Sequence, residues 1–145
     1  MRAVLQRVST AAVAVGGRTV AQIGAGVLAL VAIGRDDTEA VLAPFVEKVA
    51  TLRLFPDGKG HFSRSLVDTG GDLLLVSQFT LYGDVRRGRR PEFTAAAPAE
   101  PAARLLDDLA ARFRARGIPT QCGQFGAYMQ VSLVNDGPVT LILDL

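Results

Sequence analysis

The sequence predicts a mixed α/β fold, with largely antiparallel β-sheets and two main helices packed on one side, in three layers ordered α/β/β. Two observations support this class: β-compatible runs outnumber helical patterns, and many of these runs are joined by hairpin signals. Two helices cannot cover both faces of a large sheet, so a second β layer or a partner subunit should cover the other face. No linker-like segment interrupts the 145 residues, so residues 1–145 should form a single domain.

The predicted strands are short runs of β-branched and other apolar residues bounded by turn residues. Gly16-Gly17 is a two-residue hairpin signal. The run from Val27 to Ile33 is apolar throughout, as in strands whose two faces are both covered. Near the C-terminus, Asn135–Pro138 has the composition of a hairpin turn between two strands. The predicted strands are residues 3–8, 11–15, 18–23, 27–33, 72–77, 129–134 and 139–143.

Two segments have apolar residues at helical spacing. The first follows possible capping residues at Asp36–Thr38. The second begins near Pro101, a residue favoured in the first turn, and ends at Gly117. The apolar faces consist of Val41, Phe45, Val46, Val49 and Leu52 in the first helix, and of Leu105, Leu106, Leu109 and Phe113 in the second.

The composition limits the chemistry that the chain can perform. There is one histidine, His61, and one cysteine, Cys122. We therefore expect no intramolecular disulfide, no zinc site of the usual Cys/His type and no cofactor. His61 follows a turn and is interpreted as an exposed loop residue, and Cys122 as a small buried apolar residue. The longest nearly apolar stretch, residues 23–34, is too short to span a bilayer, so a cytoplasmic protein without membrane contact is expected.

Three segments are candidates for function. Ser77–Leu81 ends a buried strand with polar residues, where backbone amides no longer needed by the sheet can face a ligand. Asn135–Thr140 contains a Gly-Pro pair, and a cis bond there would point two carbonyls in one direction. Arg86–Arg90 holds four arginines, the residue type that binds phosphates in bidentate fashion. A polar strand end, a plain hairpin turn and a solvated loop remain the respective alternatives.

Taken together, Ser77–Leu81 and Asn135–Thr140 resemble the paired signature of the D-aminoacyl-tRNA deacylases, formerly called D-tyrosyl-tRNA deacylases. The resemblance extends over the whole chain, including residues 1–8, 73–81, 88–91 and 129–134. The chain departs from the family pattern beside these motifs, at Tyr128, Glu92, Phe62 and Ser63.

The resemblance implies a homodimer that hydrolyses the ester between a D-amino acid and the terminal ribose of tRNA, and that also acts on glycine mischarged onto tRNA. Ser77, Gln78, Phe79 and Thr80 would line the pocket for the amino acid and the terminal adenosine, with Met129 beside it. Thr80 is one candidate nucleophile. The alternative that we favour is direct attack by water, with the Phe79 and Thr80 amides stabilising the oxyanion.

The same resemblance implies that Gly137 and Pro138 form a cis pair that enters the pocket of the opposite subunit and excludes L-amino acids. Arg7 would brace this pair, with Val139 and Thr140 as further support. Main-chain atoms near the α-carbon can read its handedness whatever the side chain is, whereas a side-chain pocket discriminates by only about 1–3 kcal/mol per methylene.

Phosphates of the tRNA would contact Arg86, Arg87, Arg89 and Arg90. Two other functions remain open from the sequence. One is a non-catalytic RNA-binding module that uses the Arg86–Arg90 loop, and the other is a conventional Ser or Thr hydrolase that uses His61.

Overall fold

The computed structural model describes residues 1–59 and 62–145, and it contains eight strands and three α-helices within those ranges. The strands are β1 (Arg2–Val15), β2 (Arg18–Ile23), β3 (Gly26–Ala32), β4 (Phe55–Pro56), β5 (Phe62–Arg64), β6 (Asp72–Ser77), β7 (Thr120–Cys122) and β8 (Gln130–Asp144). The helices are α1 (Leu42–Thr51), α2 (Leu66–Thr69) and α3 (Ala99–Ala115), with 3₁₀ turns at Glu39–Val41 and Phe79–Tyr82.

A six-stranded mixed sheet forms the centre of the molecule, with the order β2-β1-β3-β6-β7 and with β8 also paired to β1. β1 pairs antiparallel with β2, β3 and β8. β6 runs parallel to both β3 and β7, so these three strands end at the same edge of the sheet. The predicted fold class, mixed and largely antiparallel, is confirmed.

The two main helices, α1 and α3, cover one face of this sheet. Their apolar faces form one buried cluster with the strand residues that point toward them, and Phe45 and Phe113 meet edge to face with ring centroids 6.2 Å apart. The helix ranges predicted from apolar spacing agree with α1 and α3. The predicted cap at Asp36–Thr38 is wrong in detail: Thr38 makes no side-chain capping bond, and the Asp37 carboxylate instead accepts from the Gly34 N–H at 2.6 Å.

A second β layer covers the other face of β3 and β6. Here Leu28, Leu74 and Val76 are buried against residues from the far half of β1 and from β2. β1 reaches both layers because Ser9 is an extra residue, lying between the pairs Val8↔Asn135 and Thr10↔Val134. Such a bulge bends a strand and increases its local twist. The gap between the two strands predicted at 3–8 and 11–15 is this bulge within one continuous strand.

The hairpin turn predicted at Asn135–Pro138 is wrong, because β8 continues through it. β8 pairs with β1 on both sides of this segment, as Asn135↔Val8 and Thr140↔Gln6. Residues 136–139 therefore form a four-residue bulge opposite the single residue Arg7. The Gly137–Pro138 peptide bond within this bulge is cis.

Two elements between α1 and β6 were not predicted from the sequence, namely α2 and the two-stranded β4–β5 sheet. α2 is a single turn, closed by a capping box in which Ser65 and Asp68 exchange hydrogen bonds. In the part of the chain that the structure describes, no helix is long and apolar enough to cross a membrane.

Candidate active site

An apolar cavity of about 320 Å³ opens where the parallel strands β3 and β6 end. In sheets of this kind, ligands bind in the crevice beyond the carboxyl ends of the strands. Three predicted residues line the cavity, namely Ser77, Gln78 and Phe79. The cavity therefore supplies a mostly apolar binding site with a small polar group at one wall, as is usual for small-molecule sites.

The wall formed by the end of β6 continues as the 3₁₀ turn Phe79–Tyr82. We call it the catalytic turn because it contains Phe79 and Thr80, the two residues that the sequence predicts to be catalytic. It begins where the Gln78 N–H donates to the Val31 carbonyl at 2.8 Å, and it closes where the Gly83 N–H donates to the Thr80 carbonyl at 2.9 Å. The first N–H groups of any helical turn have no partner inside the turn. Phe79 and Thr80 occupy these first positions, and both are exposed.

The Thr80 hydroxyl lies outside the cavity wall and accepts a hydrogen bond from the Gln78 side-chain amide. An amide N–H donor cannot take the hydroxyl proton, so this contact does not activate Thr80 as a nucleophile. Within the described ranges, no carboxylate, imidazole or amine is hydrogen-bonded to the Thr80 hydroxyl. The described contacts therefore include no general base for the Thr80 hydroxyl.

The catalytic turn contacts the base of the arginine-rich loop, residues 85–91. The Phe79 ring meets the Phe93 ring edge to face, with centroids 5.1 Å apart. The loop is closed by two backbone hydrogen bonds between Asp84 and Glu92, at 2.8 and 3.0 Å. A displacement of the loop base would therefore reach Phe79 through Phe93.

The arginines of this loop differ in what they contact. Arg86 donates from Nε and Nη2 to both carboxylate oxygens of Asp84, and these bonds together with one from the Arg86 backbone N–H hold the pKa of Asp84 at about 2. Arg87, Arg89 and Arg90 are exposed and have no ion pair in the parts of the chain that are described. Of the four predicted phosphate contacts, these three have guanidinium groups available for an anion.

The β8 bulge is held by side chains at each end. The Arg7 Nε donates to the Asp136 carbonyl at 2.8 Å, and its Nη1 donates to the Leu54 carbonyl at 2.6 Å. Arg7 thus braces the bulge through Asp136, and not through the Gly137 and Pro138 carbonyls as predicted.

The predicted supports Val139 and Thr140 lie at the C-terminal end of the bulge. The Val139 N–H donates to the Asn135 Oδ1 at 2.7 Å, and the Val139 side chain is buried in the helix-side core. The Thr140 hydroxyl accepts from the Asn135 amide at 2.9 Å and from the Gln6 amide at 3.2 Å. Gly137 and Pro138 are exposed between these anchored residues.

Within one chain, the bulge and the cavity lie at different places along the sheet. The bulge is opposite Arg7, which pairs with Val27 on β3, and the cavity begins at Val31. Four residues of strand correspond to about 13 Å. The strand register therefore does not bring Gly137 and Pro138 into the cavity of the same chain.

The other predicted residues lie around these features. Met129 does not line the cavity and is packed against the second-layer core. Cys122 is partly buried, and burial raises the pKa of its thiol although the Arg114 guanidinium donates to Sγ at 3.5 Å. His61 lies outside the described residues. Of the departures from the family pattern, Phe62 packs under the Arg7 guanidinium at 5.7 Å, and Tyr128 is 89% exposed.

The cavity wall opposite the end of β6 was not predicted from the sequence. That wall is formed by the segment before α3, the first turns of α3 and the loop after β7, through Ala97, Ala99, Ala102, Leu106, Phe125 and Gly126. Leu106 was assigned to the core by its helical spacing, and no local pattern distinguishes a core position from a cavity wall. Phe125 and Gly126 lie in the loop after β7, where an aromatic residue beside a glycine was the one signal in the sequence.

The fold and this site define a class of protein, an α/β/β protein with a candidate small-molecule site at the carboxyl ends of parallel strands. A family model described as D-Tyr-tRNA(Tyr) deacylase matches residues 4–144. The chain belongs to this family, which confirms the resemblance and the predicted class of enzyme, a hydrolase acting on ester bonds.

Similar proteins agree with this assignment. The chain is 55% identical over 144 residues to the D-aminoacyl-tRNA deacylase of Desulfitobacterium hafniense, covering 99% of this chain and 97% of the relative. It is 57% identical to the D-aminoacyl-tRNA deacylase of Roseiflexus castenholzii, covering 99% and 92%.

Two solved structures share the fold. A structure titled c-Myc DNA Unwinding Element Binding Protein matches with a TM-score of 0.94 and 42% identity, covering 100% of this chain and 99% of that one. A probable eukaryotic D-amino acid tRNA deacylase matches with a TM-score of 0.86 and 21% identity, covering 99% and 98%.

Proposed function

We propose that this protein hydrolyses the ester between a D-amino acid and the terminal ribose of tRNA, and that it also removes glycine mischarged onto tRNA. Family membership over residues 4–144 supports the reaction class. The observation that carries the mechanism is the exposed catalytic turn beside an apolar cavity, with the Thr80 hydroxyl engaged by the Gln78 amide.

The cavity would receive the end of the charged tRNA. Its volume of about 320 Å³ lies within the range of small-ligand sites. Ser77 and Gln78 supply the polar groups at the wall that continues into the catalytic turn. The scissile carbonyl would then lie against the Phe79 and Thr80 N–H groups.

In the proposed reaction, a water molecule attacks the ester carbonyl carbon. The Phe79 and Thr80 N–H groups donate to the oxyanion that develops, and each such donor contributes about 3–4 kcal/mol in enzymes where one has been removed. The water gives up one proton as its oxygen bonds to the carbonyl carbon, and the ribose oxygen gains a proton as the carbon–oxygen bond to the ribose breaks, so the products are the free amino acid and the ribose hydroxyl. The neighbouring ribose hydroxyl positions the water, so no covalent intermediate on Thr80 is needed.

Rejection of L-amino acids would require a second copy of the chain. The strand register separates the Gly137–Pro138 bulge from the cavity of its own chain. β8 is also an edge strand that exposes Val134, Leu141 and Ile142, and edge strands with apolar residues are usually covered. We infer a homodimer in which each bulge reaches the partner's cavity. Glycine has no side chain to exclude and would pass.

The backbone of the tRNA would contact the arginine-rich loop, chiefly through Arg87, Arg89 and Arg90. Arg86 is already paired with Asp84 in the free protein. Aminoacyl-tRNA is used in the cytoplasm, which is where we place the protein. The base of the loop contacts the catalytic turn through Phe93.

The decisive experiment compares D-, L- and glycyl forms of one aminoacyl-tRNA. We expect release of free amino acid from the D and glycyl forms and none above the spontaneous rate from the L form. Equal cleavage of the D and L forms would overturn chiral proofreading. Binding of the tRNA with no release of amino acid would instead favour the RNA-binding alternative, in which affinity falls steeply with salt whatever acyl group is present.

Two variants of Thr80 test the mechanism. Thr80→Ala and Thr80→Ser should both retain turnover, because the N–H groups of the catalytic turn are unchanged. Loss of all turnover in both variants, with substrate binding retained, would show that the hydroxyl takes part in the chemistry.

A further inference from the structure

The far end of the catalytic turn is held by a side chain from the first strand. Arg2, at the start of β1, donates from Nη1 to the Leu81 carbonyl at 3.0 Å. Its guanidinium also lies over the Tyr82 ring, 5.0 Å from the centroid. One arginine therefore contacts both residues that end the turn.

Arg2 is itself oriented by the last residues of β8. Its Nε and Nη2 donate to the Asp144 carboxylate at 3.2 and 2.9 Å. Arg2 and Asp144 are register partners on the neighbouring strands β1 and β8. Both bonds go to the same oxygen, Asp144 Oδ2, so they restrict the orientation of the guanidinium while Nη1 donates to the Leu81 carbonyl.

The two ends of the turn thus have different anchors. The first end is attached to β3 by the backbone bond from the Gln78 N–H to the Val31 carbonyl. At the second end, the Arg2 side chain binds the Leu81 carbonyl and lies over the Tyr82 ring. Phe79 and Thr80 lie between these anchors and are exposed. Phe79 packs against Phe93, and the Thr80 hydroxyl accepts from the Gln78 amide.

We propose that Arg2, oriented by Asp144, is a positioning residue for the hydrolysis, fixing the catalytic turn so that the Phe79 and Thr80 N–H groups face the developing oxyanion. This inference rests on the proposed function. Arg2 acts through the Leu81 carbonyl and the Tyr82 ring and touches no reacting atom.

The chain offers a closely matched control for this ion pair. Arg116 donates to Glu47 at 2.7 Å, between α3 and α1 on the helix side. The two arginine side chains are both 38% exposed, and the carboxylates are 59% exposed in Asp144 and 57% in Glu47. Exposed pairs of this kind contribute little to stability, so both arginines should be replaceable with little loss of folding.

The experiment measures kcat, KM and Tm for Arg2→Ala, Arg2→Lys, Asp144→Asn and Arg116→Ala with a D-aminoacyl-tRNA. Misplacement of reacting groups by about 1 Å costs on the order of a hundredfold, so we expect kcat of Arg2→Ala to fall by about 10–100-fold. KM and Tm should stay near the wild-type values. Arg2→Lys should recover part of kcat, Asp144→Asn should lower it less than Arg2→Ala, and Arg116→Ala should leave it unchanged.

Backbone amide NMR signals provide a readout that does not depend on turnover. The signals of Phe79 and Thr80 should move in Arg2→Ala and not in Arg116→Ala. Unchanged signals and unchanged kcat in Arg2→Ala would overturn the inference. So would a kcat loss accompanied by a Tm loss well beyond that of Arg116→Ala, because the role would then be structural. A wild-type protein that releases no amino acid would overturn the proposed function instead, while the NMR comparison would still test the positioning.

Discussion

Replacing Arg7 with methionine should destabilise the fold and loosen the β8 bulge. Arg7 is only 7% exposed, and its guanidinium joins two segments that are far apart in the chain. One is the Leu54 carbonyl after α1, at 2.6 Å, and the other is the Asp136 carbonyl in the bulge, at 2.8 Å. Methionine keeps much of the apolar stem of arginine and donates to neither carbonyl.

The size of the effect follows from the burial of the two acceptors. The bond to Leu54 is buried, so its carbonyl loses a partner that water cannot replace. The bond to Asp136 is only partly buried, and water can replace most of it. Charged hydrogen bonds and orphaned buried acceptors each contribute about 1–3 kcal/mol, so the free energy of unfolding should fall by about 2–4 kcal/mol. For a chain of this length, Tm should fall by about 4–16 °C.

Thermal denaturation and the ratio of L- to D-aminoacyl-tRNA cleavage together test this prediction. Arg18→Met is the control, because Arg18 is exposed and has no side-chain partner in the described part of the chain. Its free energy of unfolding should change by less than about 0.5 kcal/mol. In Arg7→Met the L-to-D ratio should rise as the bulge loses its brace. A Tm of Arg7→Met within about 2 °C of the wild-type value would refute the energetic reasoning. A lower Tm with an unchanged ratio of L- to D-aminoacyl-tRNA cleavage would refute the link between the brace and selectivity.

Three further outcomes are expected. Gly137→Ala should destabilise the protein more than Gly16→Ala in chemical denaturation: both glycines have positive φ, but a Cβ at Gly137 would lie 2.8 Å from the Val139 side chain and 3.0 Å from Arg7, whereas one at Gly16 would meet nothing within 4 Å. Equal losses would show that the bulge has room for a side chain. In an NMR titration the Asp84 carboxyl should have a pKa of about 2, rising toward 3.8 in Arg86→Ala. Because this pKa is lowered on folding, the contribution of the pair to stability is complete above about pH 4 and is lost as the pH falls toward 2, and a wild-type value near 3.8 would contradict the pairing. Cys122 should react slowly with iodoacetamide at pH 8, because burial raises its pKa, and Cys122→Ala should retain turnover; rapid alkylation or loss of turnover would show a reactive thiol.

Local sequence patterns were sufficient to locate β2, β3, β6 and the two main helices. The apolar run at Val27–Ile33 and the helical spacing before Leu52 correspond to β3 and α1, because burial on a sheet or a helix leaves a periodic record in the sequence. The break at Ser9 was also detectable, although it proved to be a bulge and not the end of a strand.

The segment Asn135–Pro138 shows where local patterns fail. Its residues suit a tight turn and a large bulge equally well, because in both the backbone departs from regular strand pairing. Whether the chain reverses depends on the strand beside it, and β1 is more than a hundred residues away in the sequence. The opposite wall of the cavity was unpredictable for the same reason, because α3 and the loop at Phe125 meet β6 only in the folded molecule.

The β8 bulge has a consequence for insertions and deletions. Val139 and Leu143 point into the helix-side core, while Ile142 is 76% exposed. Val139 fills the helix-side core and donates from its N–H to Asn135, so removing one residue from 136–139 would pull this part of the bulge out of these contacts. The seven residues between Asp84 and Glu92 carry no such restriction, because the β-bridge between Asp84 and Glu92 can close a loop of a different length. Insertions and deletions should therefore be tolerated in the arginine-rich loop and not in the β8 bulge, even though both segments lie at the surface.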